Sequence, residues 1–386
     1  MSRALTDTDR DHLRRTLELA EGGRGRVSPN PLVGAVVVRD GKVIGEGFHA
    51  ELGGLHAERA ALADAEARGE DPRGATMYVT LEPCAHTGRQ PACVEAILEQ
   101  GIGRVVIASE DPSEKASGRG PRVLRDAGVE VESAAGAADM AAARLLNQPF
   151  RKHSRAGLPL VVLKLAMSLD GQTATAPGDS PWISGERSRE LVHRWRGEHD
   201  AIAVGIGTVL ADDPLLTARL PGARQPCRVV FDSAARLPLD SRLVGSLDQS
   251  PLTVVAGPEA PQERIEALRE AGAEVFVADS ADPGERIEAA LTMLGRREVT
   301  SLFLEGGKTL ATAFAAAGQV DESRTFIAPV LLVPSEAPAA PQWSSFVTGG
   351  VTKDDQSPGA GRLEALATSV EAVGDDTLIT ARFKDW

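Results

Sequence analysis

His56, Cys84 and Cys93 are residues that could bind one metal ion together, and Glu58 lies two positions after the histidine. One imidazole and two thiolates are a ligand set that favours zinc, and three protein ligands leave the fourth tetrahedral position open. Water bound in that position becomes acidic enough to lose a proton near neutral pH. Glu58 is close by without being needed as a ligand, so it could pass protons during a hydrolysis.

The order of these residues is typical of zinc deaminases, in which His-x-Glu is followed by Pro-Cys and then by a second cysteine. In this chain eight residues separate the two cysteines, whereas the usual short form has two. This insert has the composition of a loop. It contains His86, which is a rival third ligand because it is so near Cys84. We favour Cys93, since it begins an amphipathic segment and a helix N-terminus stabilises a thiolate.

Strands that alternate with helices have to position this group of residues. The hydrophobic patterns predict helices at 9–21, 57–69, 93–100, 121–127 and 137–147, and strands at 35–39, 42–48, 77–82, 104–108 and 129–132. Asp40-Gly41 is a hairpin-turn sequence between the first two strands. The alternation predicts a three-layer α/β domain that ends near Phe150, followed by a basic connector at 151–157.

Two glycine-rich turns follow apolar strands in the second half of the chain, at Gly205–Gly207 and at Gly306-Gly307. Backbone N–H groups and helix N-termini at such turns can bind a phosphate group. Neither turn completes a nucleotide motif. Leu210 replaces the third glycine of the dinucleotide fingerprint, and Leu302 replaces the first glycine of the P-loop, which argues against a nucleoside triphosphatase. Strands at 160–165, 201–204 and 301–304 predict a second α/β domain.

Composition narrows the class of protein further. A chain of 386 residues is long enough for two domains. The net charge of −13 and the aromatic content of 4% argue against a nucleic-acid partner, which needs basic grooves and stacking surfaces. Three cysteines are too few for a disulfide framework, and no apolar stretch approaches a membrane span or an amino-terminal signal. We expect a cytoplasmic protein with no membrane partner.

Segments from about residue 9 to about residue 330 closely resemble the bifunctional deaminase–reductase family of riboflavin biosynthesis. The resemblance is carried by residues 29–34, 56–58, 81–88, 118–120, 164–171, 182–183, 204–214 with 216–217, and 304–307. It implies a cytidine-deaminase-like domain over residues 1–150 and a dihydrofolate-reductase-like domain over residues 151–386. The first would hydrolyse the 2-amino group of 2,5-diamino-6-(ribosylamino)pyrimidin-4-one 5′-phosphate with zinc. The second would reduce the ribosyl side chain to ribityl with NADPH.

The same resemblance implies roles for individual residues. His56, Cys84 and Cys93 would bind zinc, and Glu58 would be the proton shuttle. The deaminase substrate would contact Asn30, His49, His86 and Arg89. In the reductase, NADPH would contact Lys164, Met167, Trp182, Thr208, Asp212, Ser233, Gly306 and Gly307, and the substrate would contact Ser180, Arg189, Leu216, Arg219 and Glu305. Lys164 and Asp212 are also candidates for assisting proton transfer, and we expect the protein to form a homo-oligomer.

Departures from the family pattern leave alternatives open. Ser113-Glu114 replaces Asn-Pro in a common Asp-Pro-Asn-Pro segment, Gln90 and Ala92 replace commoner Thr and Pro, and residues 333–341 replace the usual continuation after Pro329. The last change motivates one alternative, a deaminase whose second domain only binds a ligand or oligomerises. Another alternative is a nucleic-acid base deaminase or a zinc-stabilised interaction protein. The net charge of −13 argues against the former, and Glu58, which a structural zinc site does not need, argues against the latter.

Overall fold

The computed structural model describes residues 5–86, 90–113, 116–134, 140–173, 182–332 and 363–386. The chain divides into two compact units: the first runs to Gly157 and includes Trp386, and the second runs from Leu158 to Asp385. The expectation of a connector at 151–157 is wrong, because a helix covers Gln148–Ala156 and ends at Gly157, where φ is 67°. The one proline of this helix, Pro149, lies in its first turn, where proline is tolerated.

The first unit is built on a five-stranded sheet. Its helices are α1 Asp7–Glu21, α2 Ala57–Ala67, α3 Cys93–Glu99, α4 Arg119–Asp126, α5 Ala141–Leu146 and α6 Gln148–Ala156. Its strands are β1 Gly34–Arg39, β2 Lys42–Phe48, β3 Thr76–Leu81, β4 Arg104–Ser109 and β5 Glu130–Ser133. The strand order is β2-β1-β3-β4-β5, in which β1 is antiparallel to both of its neighbours and the pairs from β3 to β5 are parallel.

Apolar residues on both faces of this sheet explain its layers. In β1, Val37 belongs to the core shared with α2, α3 and α4, whereas Val36 belongs to the core shared with α1. Because alternate residues of a strand point to opposite faces, a strand buried on both faces has to be continuously apolar. The hairpin turn has φ values of 51° at Asp40 and 75° at Gly41, as the Asp-Gly pair predicts. The three-layer prediction is therefore confirmed.

The second unit is built on a nine-stranded sheet. Its helices are α7 Glu186–Glu198, α8 Ile206–Asp212, α9 Gln262–Glu270, α10 Pro283–Arg296 and α11 Lys308–Ala316. Its strands are β6 Leu160–Ser168, β7 Ala201–Gly205, β8 Cys227–Phe231, β9 Leu252–Ala256, β10 Glu274–Val277, β11 Ser301–Leu304, β12 Glu322–Ala328, β13 Ala367–Val373 and β14 Asp376–Arg382. The order is β10-β9-β8-β7-β11-β6-β12-β14-β13, with parallel pairs from β10 to β12 and antiparallel pairs beyond.

The position of β11 creates a topological switch in this sheet. The chain passes from β6 to β7 without pairing them, and β11 later fills the gap between the two. In open α/β sheets, ligands bind outside the carboxyl ends of the strands at such a switch point. Both glycine-rich turns predicted from the sequence follow strands of this group, one after β7 and one after β11.

None of the helices in the described ranges is long and apolar enough to cross a membrane. Among the departures from the family pattern, Glu114 and residues 333–341 lie outside the described residues. Ala92, by contrast, lies inside them and immediately precedes α3.

Candidate active sites

His56, Cys84 and Cys93 come together in the first unit, where their ligand atoms all lie within 4.8 Å of one another. His56 Nδ1 is 3.3 Å from Cys93 Sγ and 3.7 Å from Cys84 Sγ. A tetrahedral zinc with bonds of about 2.0–2.3 Å would separate such ligand atoms by roughly 3.6 Å. The spacing and the chemistry of these three donors therefore fit a zinc ion.

Each of the three residues lies at the end of a secondary-structure element. His56 immediately precedes α2, Cys84 lies in the loop after β3, and Cys93 is the first residue of α3. The backbone N–H of Cys93 donates to Cys84 Sγ over 3.3 Å. Free N–H groups at a helix N-terminus stabilise negative charge, so this arrangement favours thiolates.

The two cysteine thiols differ in acidity. The hydrogen bond from Cys93 lowers the pKa of the Cys84 thiol to about 4, with a further contribution from His56. The same hydrogen bond raises the pKa of Cys93, and burial adds to that effect. Ligation by both thiolates would therefore release a proton from Cys93.

Glu58 is buried in the first turn of α2. Its Oε2 accepts a hydrogen bond from Cys93 Sγ over 3.3 Å. Burial raises the pKa of Glu58, and the negative charge of Cys84 raises it further. His86, the rival ligand, is exposed and does not belong to the group of three donors. The structure thus brings Glu58 to the donors and leaves His86 outside them.

Asn30 and His49 lie beside the same group. The two histidine rings of His49 and His56 have centroids 5.3 Å apart. His49 Nδ1 is 2.9 Å from the Leu55 carbonyl oxygen, and its Nε2 is 3.0 Å from Asn30 Nδ2. Burial lowers the pKa of His49, so the neutral ring donates to Leu55 and accepts from Asn30. Arg89 lies outside the described residues.

The two glycine-rich turns of the second unit are neighbours. Gly205 and Gly307 immediately precede α8 and α11, at the carboxyl ends of the parallel strands β7 and β11. A Cβ built on Gly307 would lie 3.7 Å from Thr208 Oγ1, and one built on Gly205 would lie 3.7 Å from Leu310. The turns therefore lie side by side at the switch point, where backbone amides can approach a ligand closely.

A buried cluster of charges lies at the same end of the sheet. Arg196 of α7 binds Glu305 with two hydrogen bonds, Nε to Oε1 over 2.6 Å and Nη2 to Oε2 over 3.0 Å. Burial alone would raise the pKa of Glu305, but Arg196 and then Lys164 lower it. Burial lowers the pKa of Lys164, while Glu305 opposes that change. Glu305 is therefore an ionised carboxylate between two cationic side chains.

Arg196 was not among the residues nominated from the sequence. The nominated Arg189 lies two helical turns earlier on α7, donates to the Ser184 carbonyl over 2.7 Å and lies 5.2 Å from the Trp182 ring. The two arginines are seven positions apart and share a helix face. The seven-residue spacing could have nominated both arginines from the sequence. It does not show which of them reaches Glu305.

The other nominated residues of the second unit lie on several of its elements. Met167 is near the end of β6, Asp212 is the exposed last residue of α8, and exposed Ser233 follows β8. The charges of Arg196 and Arg219 help to lower the pKa of His193 after burial, which places Arg219 near the charge cluster. Ser180 lies outside the described residues.

Family models match both units of the chain. The cytidine and deoxycytidylate deaminase zinc-binding region matches residues 6–109. The RibD C-terminal domain matches residues 159–353. The two matches fall on the two sites described above, the group of His56, Cys84 and Cys93 and the pair of glycine-rich turns.

Relatives match nearly the whole chain. A riboflavin biosynthesis protein RibD from Actinobacillus pleuropneumoniae is 39% identical over 375 residues, which cover 97% of this chain and 95% of the relative. The structure of Acinetobacter baumannii RibD has a TM-score of 0.80 at 34% identity and covers 98% of this chain and 99% of that one. A Thermotoga maritima diaminohydroxyphosphoribosylaminopyrimidine deaminase/5-amino-6-(5-phosphoribosylamino)uracil reductase matches with the same TM-score, identity and coverage. With this identity over nearly its full length and a family model on each half, the chain belongs to the RibD family of bifunctional deaminase–reductases of riboflavin biosynthesis.

Proposed function

We propose that the first unit hydrolyses the 2-amino group of 2,5-diamino-6-(ribosylamino)pyrimidin-4-one 5′-phosphate and releases ammonia. The observation that carries this proposal is the group of His56, Cys84 and Cys93 with Glu58 buried against it. The Thermotoga maritima relative is described as a deaminase of a diaminohydroxyphosphoribosylaminopyrimidine, which supports a substrate of this class.

The residues of the first unit have separate tasks in this reaction. His56, Cys84 and Cys93 would hold the zinc, which would make a bound water molecule acidic near neutral pH. Glu58, whose Oε2 is 3.3 Å from Cys93 Sγ, would take the proton of the attacking water and give it to the leaving amine. The amine departs as ammonia, and the ring carbon becomes a carbonyl. Asn30, whose carboxamide is held by His49, orients the pyrimidine ring.

We propose that the second unit reduces the ribosyl group beside Lys164 and Glu305. NADPH, which the glycine-rich turns would hold, would supply the hydride for C1′ of the sugar. Lys164 gives a proton to the sugar oxygen as the ring opens, and its lowered pKa favours that release. Asp212, the other candidate, is exposed at the end of α8. The glycine-rich turns and Thr208 orient the cofactor against the sugar.

The loop after α8 supplies the place for the substrate phosphate. Leu216 has a φ of 55°, and both Leu216 and Thr217 are buried. Within the described ranges, neither the Leu216 amide nor the Thr217 amide donates to an acceptor. Buried amides need acceptors, and a turn with one left-handed residue directs successive amides at an anion. We assign the 5′-phosphate to these amides and to Arg219.

The experiment is an assay of both activities on one purified chain. Ammonia release and NADPH oxidation would be followed with the diamino compound and, separately, with its deaminated product. We expect Glu58→Gln to lose ammonia release by at least about a hundredfold, to retain zinc, and to reduce the deaminated product at the wild-type rate. Ammonia release at the wild-type rate by Glu58→Gln would overturn the assignment of Glu58. A wild-type chain that oxidises no NADPH with the deaminated product would overturn the assignment of the second unit.

The alternatives raised by the sequence are not favoured. The RibD C-terminal domain model matches residues 159–353, so a second unit that only binds or oligomerises has no support from the comparisons. The expected homo-oligomer and the expected cytoplasmic location stay predictions. Gel filtration with light scattering would measure the former.

A further inference from the structure

A strained loop connects α8 to β8 in the second unit. Asp213 has a φ of 39° and Leu216 a φ of 55°, and residues with a side chain rarely adopt such values. Leu216, Thr217 and Ala218 are nevertheless buried, so the strained part of the loop is not a mobile surface turn. Backbone strain of this kind persists where the surrounding structure over-determines the conformation.

Gln225 is one group that fixes this loop. Its Oε1 accepts from the Ala218 N–H and its Nε2 donates to the Ala218 carbonyl, each over 2.9 Å. The carboxamide therefore pairs with one residue in the way a neighbouring strand would. The pairing fixes the orientation of the peptide groups on both sides of Ala218, directly after the amides of Leu216 and Thr217.

Arg228 of β8 is a second group that fixes this loop. Its side chain is fully buried. It donates to the Leu215 carbonyl over 3.4 Å, to Ser246 Oγ over 2.7 Å, to the Ser246 carbonyl over 3.0 Å and to the Ser250 carbonyl. In the described residues all of its hydrogen-bond acceptors are carbonyl or hydroxyl oxygens. A buried cation without a carboxylate partner is expensive, so its use here is to tie two loops to the strand.

A third contact joins the loop to the charge cluster. Arg196 Nη1 donates to the Thr217 carbonyl over 3.3 Å, while the same guanidinium binds Glu305. The loop is thus held at Leu215, Thr217 and Ala218, on both sides of the strained Leu216. Its conformation is set by the protein before any ligand arrives.

We propose that Gln225 and Arg228 are positioning residues of the reductase, which hold residues 213–219 in the strained form that receives the substrate phosphate. This inference rests on the proposed function, in which Leu216, Thr217 and Arg219 bind that phosphate. Because the donors of the loop are already ordered, the binding of the phosphate does not have to supply the free energy of ordering them. Neither positioning residue touches the substrate, and both act through the backbone of the loop.

The test compares Gln225→Met with Gln262→Met. Methionine has a similar length but makes neither hydrogen bond to Ala218, and Gln262 is an exposed residue of α9 whose side chain donates to Glu266. We expect Gln225→Met to raise the KM for the phosphorylated, deaminated substrate roughly tenfold to a hundredfold. The KM for NADPH and the ammonia release of the same chain should stay within twofold, roughly the scatter of such assays, because neither depends on the loop.

A substrate without its phosphate separates a loss of phosphate positioning from general damage to the reductase site. We expect Gln225→Met and wild type to have equal KM values for the dephosphorylated compound, because the loop then has no anion to hold. An equal loss with both compounds, or no change with either, would overturn the inference. If wild type reduces the phosphorylated compound, the proposed function stands in both cases. If wild type reduces neither compound, the proposed function and this inference fail together.

A test of Arg228 needs a variant in which the protein still folds. Arg228→Lys retains a buried cation with donors for some of the carbonyls, whereas Arg228→Met retains none. We expect the KM for the phosphorylated substrate to rise in the order wild type, Arg228→Lys, Arg228→Met, with an unchanged KM for NADPH. A parallel rise in both KM values would assign Arg228 to folding alone and overturn its positioning role.

Discussion

Asp9 and Tyr78 show how two buried groups set each other's protonation. Asp9 Oδ1 accepts from Tyr78 Oη and from Arg104, each over 2.8 Å. Burial alone would raise the pKa of Asp9, but hydrogen bonds from Arg104, Thr6 and Tyr78 lower it well below its ordinary range. Burial and the bond to Asp9 raise the pKa of Tyr78 to about 12. The phenol therefore stays protonated, and the carboxylate stays charged, across the physiological range.

Tyr78 is the only tyrosine of the chain, so phenolate absorbance of the whole protein reports on it alone. We expect the wild-type phenol to ionise with a pKa of about 12. In Asp9→Asn it should ionise nearer the ordinary value of about 10, because the accepting charge is gone. The measurement is a spectrophotometric alkaline titration of both proteins.

The same shift predicts how this pair affects stability at high pH. A pKa raised by folding stabilises the native state below the unfolded value of about 10, and this contribution is lost as the pH rises through about 12.

For the titration, Asp11→Asn is the control, since Asp11 lies exposed on α1 and pairs only with Arg14 among the described residues. Identical titrations of wild type and Asp9→Asn would contradict the prediction.

At the scale of residues, chemistry was easier to predict than geometry. His56, Glu58, Cys84 and Cys93 could be nominated because their types, order and flanking elements are restrictive, and the structure brings them together. Arg196 was missed because it shares a helix face with Arg189, and only the tertiary fold decides which one meets Glu305. No pattern in the sequence could nominate Gln225, because its role depends on the backbone conformation of a loop.

At the scale of elements, the first turn of α4 packs against the loop that leads to Cys84. The Gly118 N–H donates to Glu82 Oε2 over 2.8 Å. A Cβ built on Gly120, in the first turn of α4, would lie 1.9 Å from the carbonyl oxygen of Pro83. Only glycine lets the helix approach this closely. The start of α4 therefore supports the loop that leads to Cys84.

We expect Gly120→Ala to move this loop and to weaken zinc binding about 10–100-fold, as loss of support around a metal site does. Competition with a chelator would measure the zinc affinity, and NADPH oxidation with the deaminated product should be unchanged. Gly245→Ala is the control, because a Cβ there meets nothing within 4 Å. Equal zinc affinities of Gly120→Ala and wild type would show that the loop does not depend on this contact.

Most element positions could be predicted because glycine, proline and polar residues mark the ends of strongly patterned segments. The predicted strand at 42–48 matches β2, and the predicted helix at 57–69 contains α2 Ala57–Ala67. The pattern failed at 151–157, where charged residues were interpreted as a connector although nothing in them stops a helix before Gly157. Polarity alone does not separate an exposed helix from a linker.

At the scale of the whole molecule, the two units hold different ligands. Zinc binds only the folded first unit, and its binding free energy adds to the stability of that unit. NADPH at about 100 times its Kd should stabilise the second unit by about 2.7 kcal/mol. We therefore expect two thermal transitions, of which a chelator lowers one and NADPH raises the other.

Differential scanning calorimetry of the full chain checks this prediction. The Gly120→Ala protein serves as a control, because a chelator should shift its zinc-linked transition less than that of wild type. A single transition that responds to both ligands would contradict the prediction and show that the two units unfold together.

The order of the strands in the second unit could not be predicted. Periodicity shows which segments are strands, but it does not show that β11 pairs with β6, about 140 residues earlier in the chain. Such long-range pairing is decided by the packing of the finished sheet. The resemblance to a known family supplied what periodicity could not.

The late arrival of β11 has a consequence for how the protein is made. All five strands of the first sheet precede residue 134, so that sheet can close while the ribosome is still translating the second unit. The gap between β6 and β7 has to wait until residue 304 has emerged. Until then the apolar edges of both strands are exposed to chaperones and to aggregation. The first sheet can therefore form before the second, in the same order as the two reactions.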